Sequence, residues 1–276
     1  MDTRHTYLFV PGNQHDLIGK AIRSEADAVI IDLEDSVALS EKKNARDCLE
    51  NYLEQNKMAS KSIYIRVNEI KSKYWEKDVE LVAKYPSLGV MLPKTESAED
   101  IHILNKRLST EQKVIPLIET AKGVMFSYEI ANSSQNIIRL AFGAVDYSLE
   151  LGISITKNEH ELIYPRSSLV LASRVAGIES PIDTVFVNID DSEGLMEETK
   201  ISIQLGFFAK LCIHPKQVSL INKLFLPTEN EIQWAEQIVA AFEEAERQGK
   251  AAIKLNGKMI DYPVYKQALS TMVKIK

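Results

Sequence analysis

The chain has 276 residues, 45% of them apolar and 26% charged, with 11 glycines and 9 prolines, which places it among ordinary globular proteins and excludes collagen-like, low-complexity and disordered chains. Thirty-three Lys and Arg against 39 Asp and Glu leave a formal net charge of −6, so no net positive field exists to hold a nucleic-acid backbone, although a local basic pocket for a small anion is compatible with it. This length is near the limit of what one hydrophobic core serves, and predicts one large domain plus an appendage.

Two cysteines, Cys48 and Cys212, stand far apart with neither a paired nor a metal-type spacing, which predicts a reducing compartment. The first residues carry an acid and lead into only four apolar positions, Tyr7 to Val10, too few for a signal-peptide core. No run approaches the roughly 18 to 20 apolar residues of a membrane span. The expectation is a soluble cytoplasmic protein with no membrane and no nucleic-acid partner.

Along the chain, short β-branched runs alternate with polar-capped helical patterns. The predicted strands are Thr6–Val10, Ala28–Leu33, Ser62–Val67, Gly89–Leu92, Val114–Ile118, Ile138–Phe142, Thr184–Ile189 and Ala209–Ile213. Most are near-continuous apolar runs, as befits parallel strands buried on both faces. Between them, Glu41–Glu54 carries Ala45, Leu49 and Leu53 on one stripe, and Ser97–Leu108 carries Ile101, Leu104 and Leu108 on another. Eight such units predict an α/β fold, a (β/α)₈ TIM barrel, in preference to an open doubly wound sheet.

After the eighth strand the pattern changes. Thr228 and Glu231 form a capping box that opens a helix ending near Gly249. Asn256-Gly257 is a hairpin signal, and a last helix is expected to start around Pro263. The predicted division is therefore residues 1–227 as barrel, and 228–276 as a helix–hairpin–helix extension acting as lid, oligomerisation arm or both.

In such a barrel the working face lies at the C-terminal ends of the strands. Strand two runs into Asp32-Leu33-Glu34-Asp35, strand three into Arg66, strand four into Lys94, strand five into Glu119 and strand six into Asp146. A single charge after an apolar strand means only that the chain has reached water, but five in succession converge on one narrow rim. Carboxylates from neighbouring strands repel unless a cation or a proton lies between them. All-oxygen ligands select a hard ion, so Glu119 and Asp146 are the candidate ligands of Mg²⁺, with Mn²⁺ the alternative. Arg66 is the candidate partner of a substrate carboxylate or developing oxyanion, through the two parallel hydrogen bonds of its planar fork. Glu34 and Asp35 are expected to orient Arg66 and metal-bound water. Lys94 reads equally as a rim charge or an anion contact. His5, His15, His102 and His160 share no metal-type spacing, and His214 reads as a barrel-turn residue. Serine-nucleophile, Walker and dinucleotide signatures are absent from the sequence.

A set of segments then carries a resemblance. Tyr7-Leu-Phe-Val-Pro-Gly12, Val29-Ile-Ile-Asp-Leu-Glu-Asp35 with Ala45-Arg46 downstream, Arg66-Val-Asn68, Met91-Leu-Pro-Lys94, Ile118-Glu-Thr-Ala121, Phe142-Gly-Ala-Val-Asp146, Ile182-Asp-Thr-Val185, Lys210-Leu-Cys-Ile-His-Pro215 and Gly257-Lys-Met-Ile-Asp261 run in order over nearly the whole chain. Together they resemble the citrate lyase β-subunit-like branch of the HpcH/HpaI aldolase family, which includes citramalyl-CoA and malyl-CoA lyases. The resemblance implies a Mg²⁺-dependent barrel assembled as a homotrimer or homohexamer, with Glu119 and Asp146 on the metal and Arg66 on the substrate. It also implies that Asp261 reaches an active site from a neighbouring subunit's C-terminal segment and acts as acid and base; the plainer role for Asp261 is to favour the N-terminus of the last helix. Coenzyme A, as part of the substrate, would lie along the rim near Arg4, Lys20, Arg23 and Lys94.

The expected activity is cleavage of a 3-hydroxy-3-carboxyacyl-CoA to acetyl-CoA and a 2-oxo acid, Arg66 and Asp261 being the catalytic residues. Two other enzymes fit the same residues: a citrate lyase β subunit acting on the citryl thioester of an acyl carrier protein, and a metal-dependent aldolase acting on free acids. A non-catalytic scaffold would have no use for the converging charges.

Overall fold

The computed structural model describes residues 4–56 and 61–273. Eight parallel strands close into a barrel in sequence order: β1 (Thr6–Pro11), β2 (Ala28–Asp32), β3 (Ser62–Arg66), β4 (Gly89–Leu92), β5 (Val114–Ile118), β6 (Ala141–Phe142), β7 (Ile182–Asp183) and β8 (Ala209–Cys212), with β8 pairing back onto β1. Helices alternate with the strands on the outside, as the apolar stripes predict. The interior is filled from alternate strand positions, among them Ile30, Tyr64, Met91, Ile115 and Leu117, with the Tyr7 and Tyr64 rings 5.8 Å apart.

Two predicted strands differ. Only Ala141–Phe142 of the sixth joins the ladder; upstream of it, the fully buried Arg139 turns Nη1 to the Arg4 carbonyl (3.1 Å). The seventh strand is Ile182–Asp183, not Thr184–Ile189. The run Val185-Phe186-Val187 has strand-like residues but lies beyond the last ladder pair, Asp183 with Lys210, and lines a pocket of about 520 Å³ instead. The ladder lies instead at Ile182–Asp183, where Asp183 is ion-paired with Arg166 and Lys210.

The described residues form two compact units that divide at Asn222 and Lys223. In the second, Thr228 caps the helix Glu229–Arg247 through a complete capping box with Glu231. Strands β9 (Ala252–Leu255) and β10 (Lys258–Asp261) pair antiparallel across Asn256 (φ 50°) and Gly257 (φ 80°), the two left-handed residues that a two-residue hairpin turn demands. Phe242, Ile238, Ile260 and Ala268 form this unit's own small core. The helix Tyr262–Val273 follows directly on Asp261, whose Oδ1 accepts the Val264 N–H at 3.3 Å. Cys48 and Cys212 are both free thiols. No helix of the described residues is long and apolar enough to cross a membrane.

Candidate active site

The mouth of the barrel gathers charge because strands in register end together. Asp32 and Arg66 are register partners at the ends of β2 and β3. Arg66 donates from Nε and Nη2 to the two Asp32 oxygens, each at 2.7 Å. Its remaining nitrogen, Nη1, lies 3.3 Å from Glu34 Oε2 and 3.7 Å from Asp35 Oδ2, and its guanidinium carbon is 4.8 Å from the Phe9 ring centre. Burial would lift the Asp32 pKa, but the Arg66 charge and its hydrogen bonds hold it below the usual carboxylate range. Burial likewise opposes the charge on Arg66, and Asp32 overcomes it, so the guanidinium is more firmly protonated than in water.

Asp32 takes the Nε/Nη2 edge of the guanidinium, which leaves the terminal Nη1/Nη2 edge as the one a substrate could meet. Asp32 is the residue that sequence reasoning passed over, although it ends its strand at the same offset as Arg66. Glu34 and Asp35 stand beside Arg66 as expected, Glu34 buried and Asp35 exposed.

The loop that carries Glu34 is fixed from behind. The buried Lys42 Nζ donates to the carbonyls of Leu33 (2.8 Å) and Glu34 (2.7 Å). Asn68 donates to Leu33 O (2.9 Å) and to Asp78, which Arg46 grips in turn at 2.8 Å. Lys42 and Asp78 carried no sequence signal beyond being charges on amphipathic helices.

Glu119 ends β5 and is 2% exposed. The Lys94 backbone N–H donates to its Oε1 (2.8 Å) from a residue with φ 46°, a left-handed conformation unusual for lysine. The Lys94 Nζ lies 3.6 Å from Glu34 Oε1. Gly143 closes against the other side of Glu119: a Cβ there would sit 2.6 Å from Glu119 Oε2. The helix Ala144–Leu151 starts one residue later and carries Asp146 in its first turn. Burial first, then the charges of Glu34 and Asp146, push the Glu119 carboxyl up to about 8. Burial, with Asp35 and Asp32, lifts Glu34 to about 7 against the pull of Arg66 and Lys94.

Five carboxylates, those of Asp32, Glu34, Asp35, Glu119 and Asp146, thus share the mouth with Arg66 and Lys94. This donor set fits a hard divalent cation. Glu34 Oε2 is buried and accepts no hydrogen bond, and the like-charged neighbours of Glu119 are the kind that a cation reconciles. Among the described residues no three His, Cys, Asp or Glu side chains converge as a closed metal cage. Mg²⁺ is commonly held by one or two carboxylates with water and substrate completing its shell, and an open carboxylate pair such as Glu119 and Asp146 would fit that pattern.

The basic residues expected along the rim separate. Lys94 is at the mouth. Arg4 lies at the opposite end of the barrel, its Nη1 donating to Ser62 Oγ (2.6 Å) and Tyr64 OH (3.0 Å) where β3 begins. Lys20 is in the last turn of the helix His15–Ile22 and Arg23 is its C-cap. A helix after a barrel strand runs back away from the mouth, and at 1.5 Å per residue it carries Lys20 about 8 Å and Arg23 about 12 Å down the outer wall. Asp261 belongs to the C-terminal unit, where the contact described for its side chain is the Val264 N–H.

A closed parallel barrel with an acid-lined mouth and a buried arginine defines a (β/α)₈ enzyme equipped for a metal-bound anionic substrate. The chain belongs to the HpcH/HpaI aldolase/citrate lyase family, whose model matches residues 5–215, and it is a carbon–carbon lyase. It is 36% identical over 279 residues to the citrate lyase subunit beta of Leuconostoc mesenteroides subsp. cremoris, covering 98% of this chain and 92% of the relative. It is 31% identical over 297 residues to the mitochondrial citramalyl-CoA lyase of Rattus norvegicus, covering 99% and 88%. Among solved structures it is similar to the protein CitE of Mycobacterium tuberculosis in complex with magnesium, acetoacetate and coenzyme A, with a TM-score of 0.85 and 30% identity over 99% of this chain and 98% of that one.

Proposed function

We propose that the chain is a Mg²⁺-dependent acyl-CoA lyase that cleaves a 3-hydroxy-3-carboxyacyl-CoA, of the citramalyl-CoA or malyl-CoA type, to acetyl-CoA and a 2-oxo acid, pyruvate or glyoxylate. The observation that carries this reading is the likeness, over nearly the whole chain, to a structure that holds magnesium, acetoacetate and coenzyme A; the carboxylate pair at the mouth supports it.

Glu119 and Asp146 would hold the ion. Bound there, Mg²⁺ supplies the charge that gathers a substrate carboxylate and hydroxyl and lowers the hydroxyl pKa. Arg66 offers its terminal Nη1/Nη2 edge to the enolate oxygen that develops as the carbon–carbon bond breaks. Asp32 keeps that edge from swinging, so the stabilising charge is in place before the reaction and needs no reorganisation. Glu34 and Asp35 set the direction of Nη1, and Lys94 draws an anionic part of the substrate towards the mouth. Asp261 takes the proton of the substrate hydroxyl as the carbon–carbon bond breaks and returns it to the enolate carbon, delivered by the C-terminal unit of a neighbouring copy in a cytoplasmic homotrimer or homohexamer.

Replacing Asp146 with Asn removes one ligand charge without changing shape. Purified Asp146→Asn is expected to lose Mg²⁺-dependent cleavage while keeping the wild-type Tm, and full activity in this variant would overturn the site. A second reading, a β subunit acting on a citryl thioester of an acyl carrier protein, is favoured by the identity to the citrate lyase subunits, 36% against 31%. Turnover of citryl carrier protein but not of any CoA thioester would select it.

A further inference from the structure

Asp146 sits on a helix that has no cap of its own. The residue before Ala144–Leu151 is Gly143, which has no side chain to accept the orphan N–H groups of a first turn. The acceptor comes instead from the end of the neighbouring strand: the hydroxyl oxygen of Thr184, forty positions on, takes the Ala144 N–H at 3.0 Å. Thr184 is 3% exposed and follows directly on β7.

That strand is held by little backbone pairing. It shares one register pair with β6 and two with β8. Side chains supply the missing hold. Asp183 is gripped by Arg166 through Nε (2.9 Å) and Nη2 (3.1 Å), and Arg166 reaches Glu159 at 2.8 Å. Lys210 donates to the Thr184 carbonyl (2.9 Å) and to Glu198 (2.5 Å), and stands 3.5 Å from Asp183. Arg166, Asp183 and Lys210 are each fully buried. Such a network costs desolvation, and removing one member strands the others, so its contacts hold together as a set. Both atoms of Thr184 that matter are fixed: the carbonyl by Lys210, and through the backbone the hydroxyl that meets Ala144.

We infer that Thr184 is a positioning residue for the metal-binding carboxylate Asp146: its hydroxyl caps the helix that presents Asp146, and the Arg166–Asp183–Lys210–Glu198 network holds that hydroxyl in place. The inference rests on the proposed metal site. Outer partners that orient metal ligands are worth about 10- to 100-fold in metal affinity.

The test is calorimetric titration of Mg²⁺ into wild-type protein, Thr184→Val, Thr184→Ala and Thr184→Ser, with Tm measured on each. Val and Ala lose the acceptor, and Ser keeps it while losing the methyl group. Mg²⁺ affinity is expected to fall about 10-fold or more in Val and Ala, and to stay within about 2-fold of wild type in Ser. Wild-type affinity in Thr184→Val or Thr184→Ala, or a loss in Thr184→Ser as large as in Val, would overturn the positioning role alone. No Mg²⁺ binding by the wild-type protein would overturn the metal site and this inference with it.

Discussion

Glu119 and Glu34 are buried acids whose protons the fold holds more tightly than water does, up to about 8 and about 7. Glu198, in the network behind Thr184, is also raised to about 7, by burial first. Below their ordinary value of 4.5 the folded and unfolded chains both carry these protons. Between 4.5 and about 8 the unfolded chain releases them and the folded one does not, so stability declines as pH rises through that window. Asp32 has the opposite sign, its lowered pKa giving stability that is lost only as pH falls through its ordinary 3.8 and below, and it stays constant across the window. In EDTA, Tm is therefore expected to fall between pH 5 and pH 8. If Glu119 is a metal ligand as proposed, Mg²⁺ would displace its proton, and saturating Mg²⁺ should raise Tm more at pH 8 than at pH 6. Scanning calorimetry at both pH values checks this; a flat profile, or a larger Mg²⁺ effect at pH 6, would contradict it.

At the scale of elements, the site depends on how closely the end of β6 passes the end of β5. Gly143 N donates to the Ile118 carbonyl at 2.9 Å, and a Cβ at 143 would meet Glu119 Oε2 at 2.6 Å and Glu119 Cβ at 2.7 Å. With φ at −109° the backbone itself would accept alanine, so the conflict is with the Glu119 side chain. Gly143→Ala is expected to weaken Mg²⁺ binding at least 10-fold, with a stability loss of about 1 to 3 kcal/mol from overpacking. Unchanged metal titration would show that Glu119 does not need that approach.

Much of this level was legible in the sequence. Apolar runs located six of the eight strands closely, since strands buried on both faces leave little choice of residue. The charges at the ends of β2 to β6 located the mouth. The runs failed at the seventh strand: the Val185-Phe186-Val187 run resembles a strand, but the ladder ends at Asp183, which Arg166 and Lys210 hold. Asp32 was visible as a charge and illegible as the partner of Arg66, because that role depends on cross-strand register. Charge alone made Lys20 and Arg23 candidates for the rim, whereas a helix that returns down the wall carries them away from it.

For the whole molecule, the two units have separate cores, and the proposed acid and base, Asp261, lies on the unit that holds neither proposed metal ligand. If Asp261 acts on a neighbouring copy, Asp146→Asn and Asp261→Asn should each be inactive alone, and activity should reappear when the two are mixed and their subunits exchanged. Mixtures as inactive as their parents would place Asp261 in the site of its own chain or outside catalysis. Selection among acyl groups also belongs to this scale, since one methyl group in a pocket is worth about 1 to 3 kcal/mol and depends on every wall around the substrate.

The central claim is metal-dependent cleavage of a CoA thioester. Purified wild-type protein should be incubated with malyl-, citramalyl- and citryl-CoA, with and without Mg²⁺, following acetyl-CoA and the 2-oxo acid together. The account predicts equal release of both products from at least one of the three, abolished by EDTA and restored by Mg²⁺. Cleavage of free hydroxy acids with none of the CoA thioesters turned over, or cleavage indifferent to EDTA, would contradict it.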